Sequence, residues 1–235
     1  MNLDAVRARL AGAAILLDFD GTLAPIVPEP EDARPWPGIA EVLSDLVQRA
    51  RLVAVISGRP EAFIRSVLDV RTLEVIGLYG LKGASPLDPA IKAEVTRLAA
   101  TEEGARVEDK VVSMSVHVRG APDPDAAAAR LRDPMFEIAT RFGLAAFEGK
   151  RVLELAPPGA RKGGVVRQLL ARAEPEAALY AGDDLEDREA FDALDALDAA
   201  CRIAVVGVET PEALRGAADV LVEGPPGLLE ALRSL

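Results

Sequence analysis

The sequence predicts an α/β protein, a doubly wound parallel sheet interrupted by a smaller inserted α+β segment of order αββαββ. Three observations predict it. An unbroken apolar run over 13–17, the mark of a strand buried on both faces of a parallel sheet, stops at two carboxylates, Asp18 and Asp20. Further apolar runs at 51–56, 179–181 and 203–208 alternate with helical periodicity. Between 83 and 157 the pattern changes to helix, two strands, helix, two strands with short turns, then reverts.

The elements follow in order. Residues 4–10 read as a short helix leading into the first strand. Asp18 and Asp20 are spaced i, i+2 and point the same way from a strand, so both can address one site at its carboxyl end. That is the edge where open α/β sheets bind ligands. A solvated acidic turn is the alternative reading of Asp-x-Asp alone. Gly21 permits a sharp turn, and Thr22 can satisfy exposed backbone groups. Residues 24–37 carry five prolines and read as a loop able to lie over the site, with Trp36 as a packing anchor. Helical spacing of Ile39, Val42, Leu43, Leu46 and Val47, opened by Pro37, predicts a helix. The strand at 51–56 ends in Ser57-Gly58-Arg59, which brings Ser57 to the same edge as Asp18 through a right-handed βαβ crossover. Ser57 also suits capping of the helix 61–67. A third strand at 73–77 ends in the turn Gly77-Leu78-Tyr79-Gly80.

The inserted segment reads as a helix at 88–100, strands at 106–107 and 111–118, a helix at 123–141, and a hairpin of 144–147 with 151–155 around Glu148-Gly149-Lys150. Val112, Met114, Val116 and Val118 alternate with Ser113, Ser115, His117 and Arg119, giving one apolar and one polar face. The polar face is either solvated or the roof of a site, and His117, the single histidine, follows it. The domain boundaries expected are 1–82 with 158–235 for the core and 83–157 for the insertion, with hinges near Gly83 and near 157–159.

The core then resumes. Lys162 opens the helix 165–172, a place where a cation is unfavourable unless an anion sits beside it. The strand at 179–181 delivers Gly182-Asp183-Asp184-Leu185-Glu186-Asp187, a second carboxylate cluster that a divalent cation would relieve. A strand at 203–208, a helix opened by Glu209-Thr210-Pro211, a strand at 219–222 and a helix at 228–232 complete the chain.

Composition narrows the function. A net charge of −11 argues against nucleic-acid and anionic-membrane binding. No apolar stretch is long enough to cross a bilayer and no cationic-then-apolar leader opens the chain, so a cytoplasmic protein is expected. The single Cys201 fits a reducing compartment and reads as a small buried residue beside a strand. With one histidine no His cluster can hold a metal. The ordered set Asp18/Asp20, Ser57, Lys162 and Asp183/Asp187 offers oxygen ligands, which suit Mg²⁺.

The string Asp18-Phe19-Asp20-Gly21-Thr22-Leu23 resembles the first motif of the haloacid dehalogenase (HAD) superfamily. Within it the chain is similar to the trehalose-6-phosphate phosphatases. The likeness is carried by the opening through Pro25-Ile26, Ser57-Gly58-Arg59, Gly182-Asp183-Asp184 with Asp187 and Ala190-Phe191, and by Glu108, Lys110, Ser113, His117, Arg119 and Glu154 in the insertion. The resemblance implies a HAD-like core with an inserted cap. It implies an aspartyl-phosphate mechanism with Asp18 as nucleophile and Asp20 as general acid/base. Ser57 and Lys162 would bind phosphate oxygens, and Asp18, the Asp20 carbonyl and Asp183, supported by Asp187, would hold Mg²⁺. Thr22, Gly58, Arg59, Tyr79, Glu108, Lys110, His117, Arg119 and Glu154 would meet a small phosphosugar. A monomer is expected, without nucleic-acid or membrane partners and without a synthase-like module. The family usually has His or Asn where this chain has Tyr79, and an acid where it has Lys82. That departure keeps a sucrose-phosphate or glycosyl-glycerate-phosphate type of substrate open. A signalling receiver domain and a catalytically dead sugar-phosphate sensor fit less well, because of the inserted segment and the intact Asp18/Asp20 pair.

Overall fold

The computed structural model describes residues 2–81, 85–149, 151–158, 161–208 and 210–235. Lys82, Gly83, Lys150, Gly159 and Glu209 lie outside them, so the expected hinge positions Gly83 and Gly159 are not among the described residues. The chain forms two compact units, Met1–Tyr79 with Arg161–Leu235, and Gly80–Ala160.

In the first unit the elements are α1 (Asn2–Arg7), β1 (Ala13–Leu17), α2 (Ile39–Arg49), β2 (Leu52–Ile56), α3 (Glu61–Val67) and β3 (Glu74–Ile76). The second unit contributes α4 (Pro89–Ala99), β4 (Arg106–Asp109), β5 (Met114–His117), α5 (Pro124–Phe142), β6 (Ala145–Gly149) and β7 (Val152–Ala156). The first unit resumes with α6 (Lys162–Ala173), β8 (Ala177–Gly182), α7 (Asp187–Asp192), β9 (Ala200–Val206), α8 (Glu212–Arg215), β10 (Val220–Glu223) and α9 (Gly224–Arg233).

The first unit is built on a six-stranded sheet of order β10-β9-β8-β1-β2-β3, with every pairing parallel. All five residues of β1 are buried, as its apolar run requires. Alternate side chains enter opposite layers. Ala13, Ile15 and Leu17 join Leu43 and Leu46 of α2 and Leu228 of α9, whereas Ala14 and Leu16 join Val166 of α6 and Phe191 of α7. The chain leaves β1 toward β2 and β3 on one side, and its later strands begin with β8 on the other. The reversal of strand order therefore falls between β1 and β8, and its carboxyl edge is where open α/β sheets bind ligands.

The second unit is a four-stranded antiparallel sheet, β4-β5-β7-β6, packed through one apolar cluster against α4 and α5. Ile91 and Val95 of α4 and Leu131, Met135 and Ile138 of α5 meet Met114, Val116, Leu153 and Leu155 there. Side chains cap both helices: Asp88 accepts from the Ala90 N–H and Asp123 from the Ala126 N–H. The expected αββαββ order is found, and the polar face of β5 is not solvated at its centre, since Ser113 and Ser115 are buried.

Trp36 is 38% exposed, and its backbone N–H donates to the Leu23 carbonyl at 2.8 Å. Some local expectations are corrected. Pro37 lies before α2, whose N-cap is Gly38 in a left-handed conformation (φ 95°). Ser57 does not cap α3, because its hydroxyl accepts instead from the Arg59 N–H at 3.1 Å. The first helix ends at Arg7, and β9 begins at Ala200, so Cys201 lies within the strand.

Candidate active site

Asp18 is the residue after β1, and its N–H donates to the Ala181 carbonyl of β8 at 2.9 Å. This bond carries the ladder one residue past the strand and holds Asp18 at the switch point, 4% exposed. Thr22 Oγ1 donates to Asp18 Oδ2 at 3.1 Å. The intervening turn needs glycine at position 21, where φ is 81° and a Cβ would lie 2.1 Å from Asp183 Oδ2. Gly182 is equally constrained, because a Cβ there would lie 2.1 Å from Asp187 Cγ.

Lys162 stands at the first position of α6 and is buried. Its Nζ lies 2.9 Å from Asp18 Oδ1, 2.7 Å from Asp187 Oδ1 and 3.9 Å from Asp184 Oδ1. The anions that stabilise this misplaced cation are thus the chain's own. Burial alone would push the ammonium pKa down, but Asp18, Asp187 and Asp184 outweigh it and hold it well above its usual range.

Asp187 organises the acidic loop. Its Oδ2 accepts from the N–H groups of Asp183 (2.8 Å) and Asp184 (2.9 Å), and its Oδ1 from Lys162 and from the Tyr180 hydroxyl (2.8 Å). A carboxylate has about four acceptor positions, and the protein fills that number here. Burial would raise the Asp187 pKa, yet Lys162, the Asp184 N–H and Tyr180 hold it below the usual range. Asp18 behaves oppositely. Burial, only partly offset by Lys162 and reinforced by Asp187, Asp183 and Asp184, lifts its carboxyl well above that range.

Among the described residues Asp18, Asp183 and Asp187 each bring a carboxylate oxygen within 4.8 Å of the others, all three buried. One ammonium among four acids leaves surplus negative charge at this largely buried cluster, which is what a hard divalent cation would neutralise. The residues therefore fit Mg²⁺, with Asp18 and Asp183 as carboxylate ligands. Asp187, with its acceptor positions occupied, fits a supporting place behind them.

The other expected site residues are also placed. Ser57 follows β2 and is buried; since Leu17 registers with Val55, Ser57 stands level with Phe19 at the same sheet edge. Gly58 faces Tyr79, whose hydroxyl would lie 2.8 Å from a Cβ at position 58. Tyr79 itself is in the left-handed region (φ 48°, ψ 38°). Asp20 and Arg59 form a bidentate ion pair, with Nε–Oδ2 at 2.6 Å and Nη2–Oδ1 at 2.8 Å.

In the second unit, Glu108, Ser115 and Glu154 stand in one row across β4, β5 and β7. Glu154 Oε2 accepts from Lys110 Nζ at 2.9 Å and from Ser115 Oγ at 3.0 Å, and His117 Nε2 lies 2.9 Å from Glu108 Oε2. Arg119 follows β5. The sequence reading missed one participant, Tyr180, and placed Ser115 on the polar face without a partner. Tyr180 had a signal, a phenol within an otherwise aliphatic strand that must find a polar partner when buried.

A family model described as trehalose-phosphatase matches residues 16–215. The chain belongs to the trehalose-phosphatase family. A Thermoplasma acidophilum protein named as trehalose-6-phosphate phosphatase-related is 30% identical over 190 residues, covering 76% of this chain and 81% of the relative. The bifunctional trehalose-6-phosphate synthase/phosphatase of Thermoproteus tenax is 29% identical over 82% of this chain, and the trehalose-phosphatase of Schizosaccharomyces pombe is 30% identical over 79%. The chain spans only 29% and 26% of the length of those two larger relatives. The crystal structure of a trehalose-6-phosphate phosphatase related protein superposes with a TM-score of 0.71 at 26% identity, covering 94% of this chain and 96% of that one. The C-terminal domain of the Candida albicans trehalose-6-phosphate phosphatase shares the fold, with a TM-score of 0.79 at 21% identity over 98% of this chain and 93% of that one. A HAD-like hydrolase from Bacteroides thetaiotaomicron, with a TM-score of 0.65 at 16% identity over 94% of this chain and 98% of that one, places this family member among HAD-like folds. No helix among the described residues is long and apolar enough to cross a membrane.

Proposed function

We propose that this chain is a Mg²⁺-dependent phosphatase that hydrolyses trehalose 6-phosphate to trehalose and phosphate through an aspartyl-phosphate on Asp18. The observation that carries the proposal is the buried Asp18 at the switch point, with Lys162 2.9 Å from one oxygen and Thr22 3.1 Å from the other, in a chain of the trehalose-phosphatase family.

An Asp18 oxygen attacks phosphorus in line, and the bond from phosphorus to the sugar oxygen breaks. Asp20 gives its proton to the departing oxygen. It then takes one from the water that cleaves the aspartyl-phosphate, releasing phosphate and restoring Asp18. Lys162 and Ser57 meet the phosphoryl oxygens as charge shifts among them. Mg²⁺, held by the Asp18 and Asp183 carboxylates and the Asp20 carbonyl with Asp187 in support, would offset the repulsion between a carboxylate nucleophile and a phosphate dianion. Asp187 keeps Lys162 and the 183–184 backbone in place. Thr22 orients the nucleophile, and Gly58 leaves room for the Tyr79 ring next to Ser57.

For the sugar we propose Glu108, Lys110 and Glu154, aided by His117 and Arg119, as partners for hydroxyls. Charged groups of this kind reject sugars that leave them unpaired. Tyr79, which stands where the family has His or Asn, favours a second reading in which the substrate is another phosphosugar.

The test is phosphate release from trehalose 6-phosphate, sucrose 6-phosphate, glucose 6-phosphate and p-nitrophenyl phosphate, with Mg²⁺ and with EDTA. A preference for trehalose 6-phosphate that EDTA removes is expected. Preference for another sugar phosphate would move the assignment to the second reading. Substantial turnover by Asp18→Asn would exclude covalent catalysis through Asp18.

A further inference from the structure

The geometry points to Arg59 as a positioning residue that acts through Asp20 and not as a ligand of the substrate phosphate; this rests on the phosphatase reading above. Both Asp20 oxygens are taken by the Arg59 fork, at 2.6 and 2.8 Å. Two parallel charge-assisted bonds fix the plane of a carboxylate as well as its position. The guanidinium is itself held. Its Nη1 donates to the Pro30 carbonyl at 2.5 Å, and its carbon lies 4.5 Å from the Phe63 ring centre and 5.9 Å from that of Phe19. The Arg59 side chain is 12% exposed and that of Asp20 33%. The backbone around Asp20 is equally defined. The N–H groups of Leu23 and Ala24 donate to the Phe19 carbonyl at 2.9 Å, and the Gly21 N–H donates to the Ala24 carbonyl at 2.7 Å.

A ring-stacked guanidinium tied to the 24–37 loop thus sets where the Asp20 carboxylate sits. Each Asp20 oxygen accepts one bond from the fork and keeps a second acceptor position, so the carboxyl can take and hand on a proton while the fork holds its plane. Arg59 therefore affects only the steps in which Asp20 moves a proton. A lysine, with a point charge and no fork, reproduces the charge and not the plane.

The experiment is a double-mutant cycle of Arg59→Met and Asp20→Asn, read on two monoesters. The first is the sugar phosphate the wild type prefers, whose alkoxide must be protonated as it leaves. The second is p-nitrophenyl phosphate, whose phenolate leaves unaided, followed by its first-turnover burst. Since general acid catalysis supplies about 10²–10⁴-fold, Arg59→Met is expected to lower kcat on the sugar ester about 10- to 100-fold. The p-nitrophenolate burst and both KM values are expected to stay within about threefold, and the kcat loss to vanish in the Asp20→Asn background. Arg59→Lys is expected to recover only part of the loss. Equal losses on both esters with raised KM, or an undiminished Arg59 effect in the Asp20→Asn background, would overturn the inference and return Arg59 to the phosphate. The same cycle read by urea midpoints needs no turnover. Additive midpoints would show that the pair is not formed, whereas coupled midpoints in a chain that releases no phosphate from any ester would fault the phosphatase reading instead.

Discussion

Tyr180→Phe removes one oxygen from the most buried part of the site and leaves the ring where it was. Tyr180 is fully buried, and its ring meets that of Phe191 edge-on, with centroids 6.0 Å apart at 80°, a contact phenylalanine retains. The lost interaction is the 2.8 Å bond to Asp187 Oδ1. Bonds to a charged acceptor contribute about 1.5–3 kcal/mol, above the roughly 1 kcal/mol of a neutral pair. The cost does not reach the roughly 3–5 kcal/mol of a broken buried ion pair, because Lys162 still donates to the same oxygen at 2.7 Å. We expect a destabilisation of about 2 kcal/mol, which at a urea slope of about 2 kcal/mol/M lowers the midpoint by about 1 M. The fluorescence of Trp36, the single tryptophan, reports it from the same unit. Activity should fall as well, since Asp187 then steers Lys162 and the 183–184 loop with one donor fewer. A midpoint shift under about 0.25 M, or about 0.5 kcal/mol at that slope, would refute the four-donor account of Asp187.

Two further outcomes follow from the charges. Asp18→Asn should make the metal-free protein at least as stable as the wild type at pH 8. Burial and the neighbouring acids raise the Asp18 pKa, so its contribution to stability is full below the ordinary carboxylate value of about 3.9 and is lost as pH rises through the raised folded value. Asp187 has the opposite sign, and its contribution is lost only as pH falls through its lowered value. Urea midpoints in EDTA at pH 5 and pH 8 check this, and a variant weaker than wild type at pH 8 would contradict it. Cys201, buried in β9, has its thiol pushed up to about 12 by burial and then by Asp219, so thiol reagents at pH 8 should label it only through unfolding. Labelling as fast in buffer as in urea would contradict that burial.

The sequence by itself determined the elements and the order in which the catalytic candidates arrive. The apolar run of β1, the periodicity of α2 and the alternation along β5 are local consequences of which face of each element must leave water. The Asp18/Asp20, Ser57, Lys162 and Asp183/Asp187 set was legible because each falls at the end of such an element. Ser57 as a helix cap was misread for the complementary reason. Its surroundings depend on chain returning from elsewhere, and a hydroxyl is compatible with more than one partner. Only the tertiary structure decided the pairings: Arg59 with Asp20 across 39 residues, Tyr180 and Lys162 on one oxygen of Asp187, and the row of Glu108, Ser115 and Glu154. Those depend on sheet register and on where the strand order reverses. A one-residue slip would turn each side chain to the other face while leaving every local pattern intact. Periodicity records which side of an element is apolar, whereas the distances that make a site are set by the packing of elements far apart in the chain.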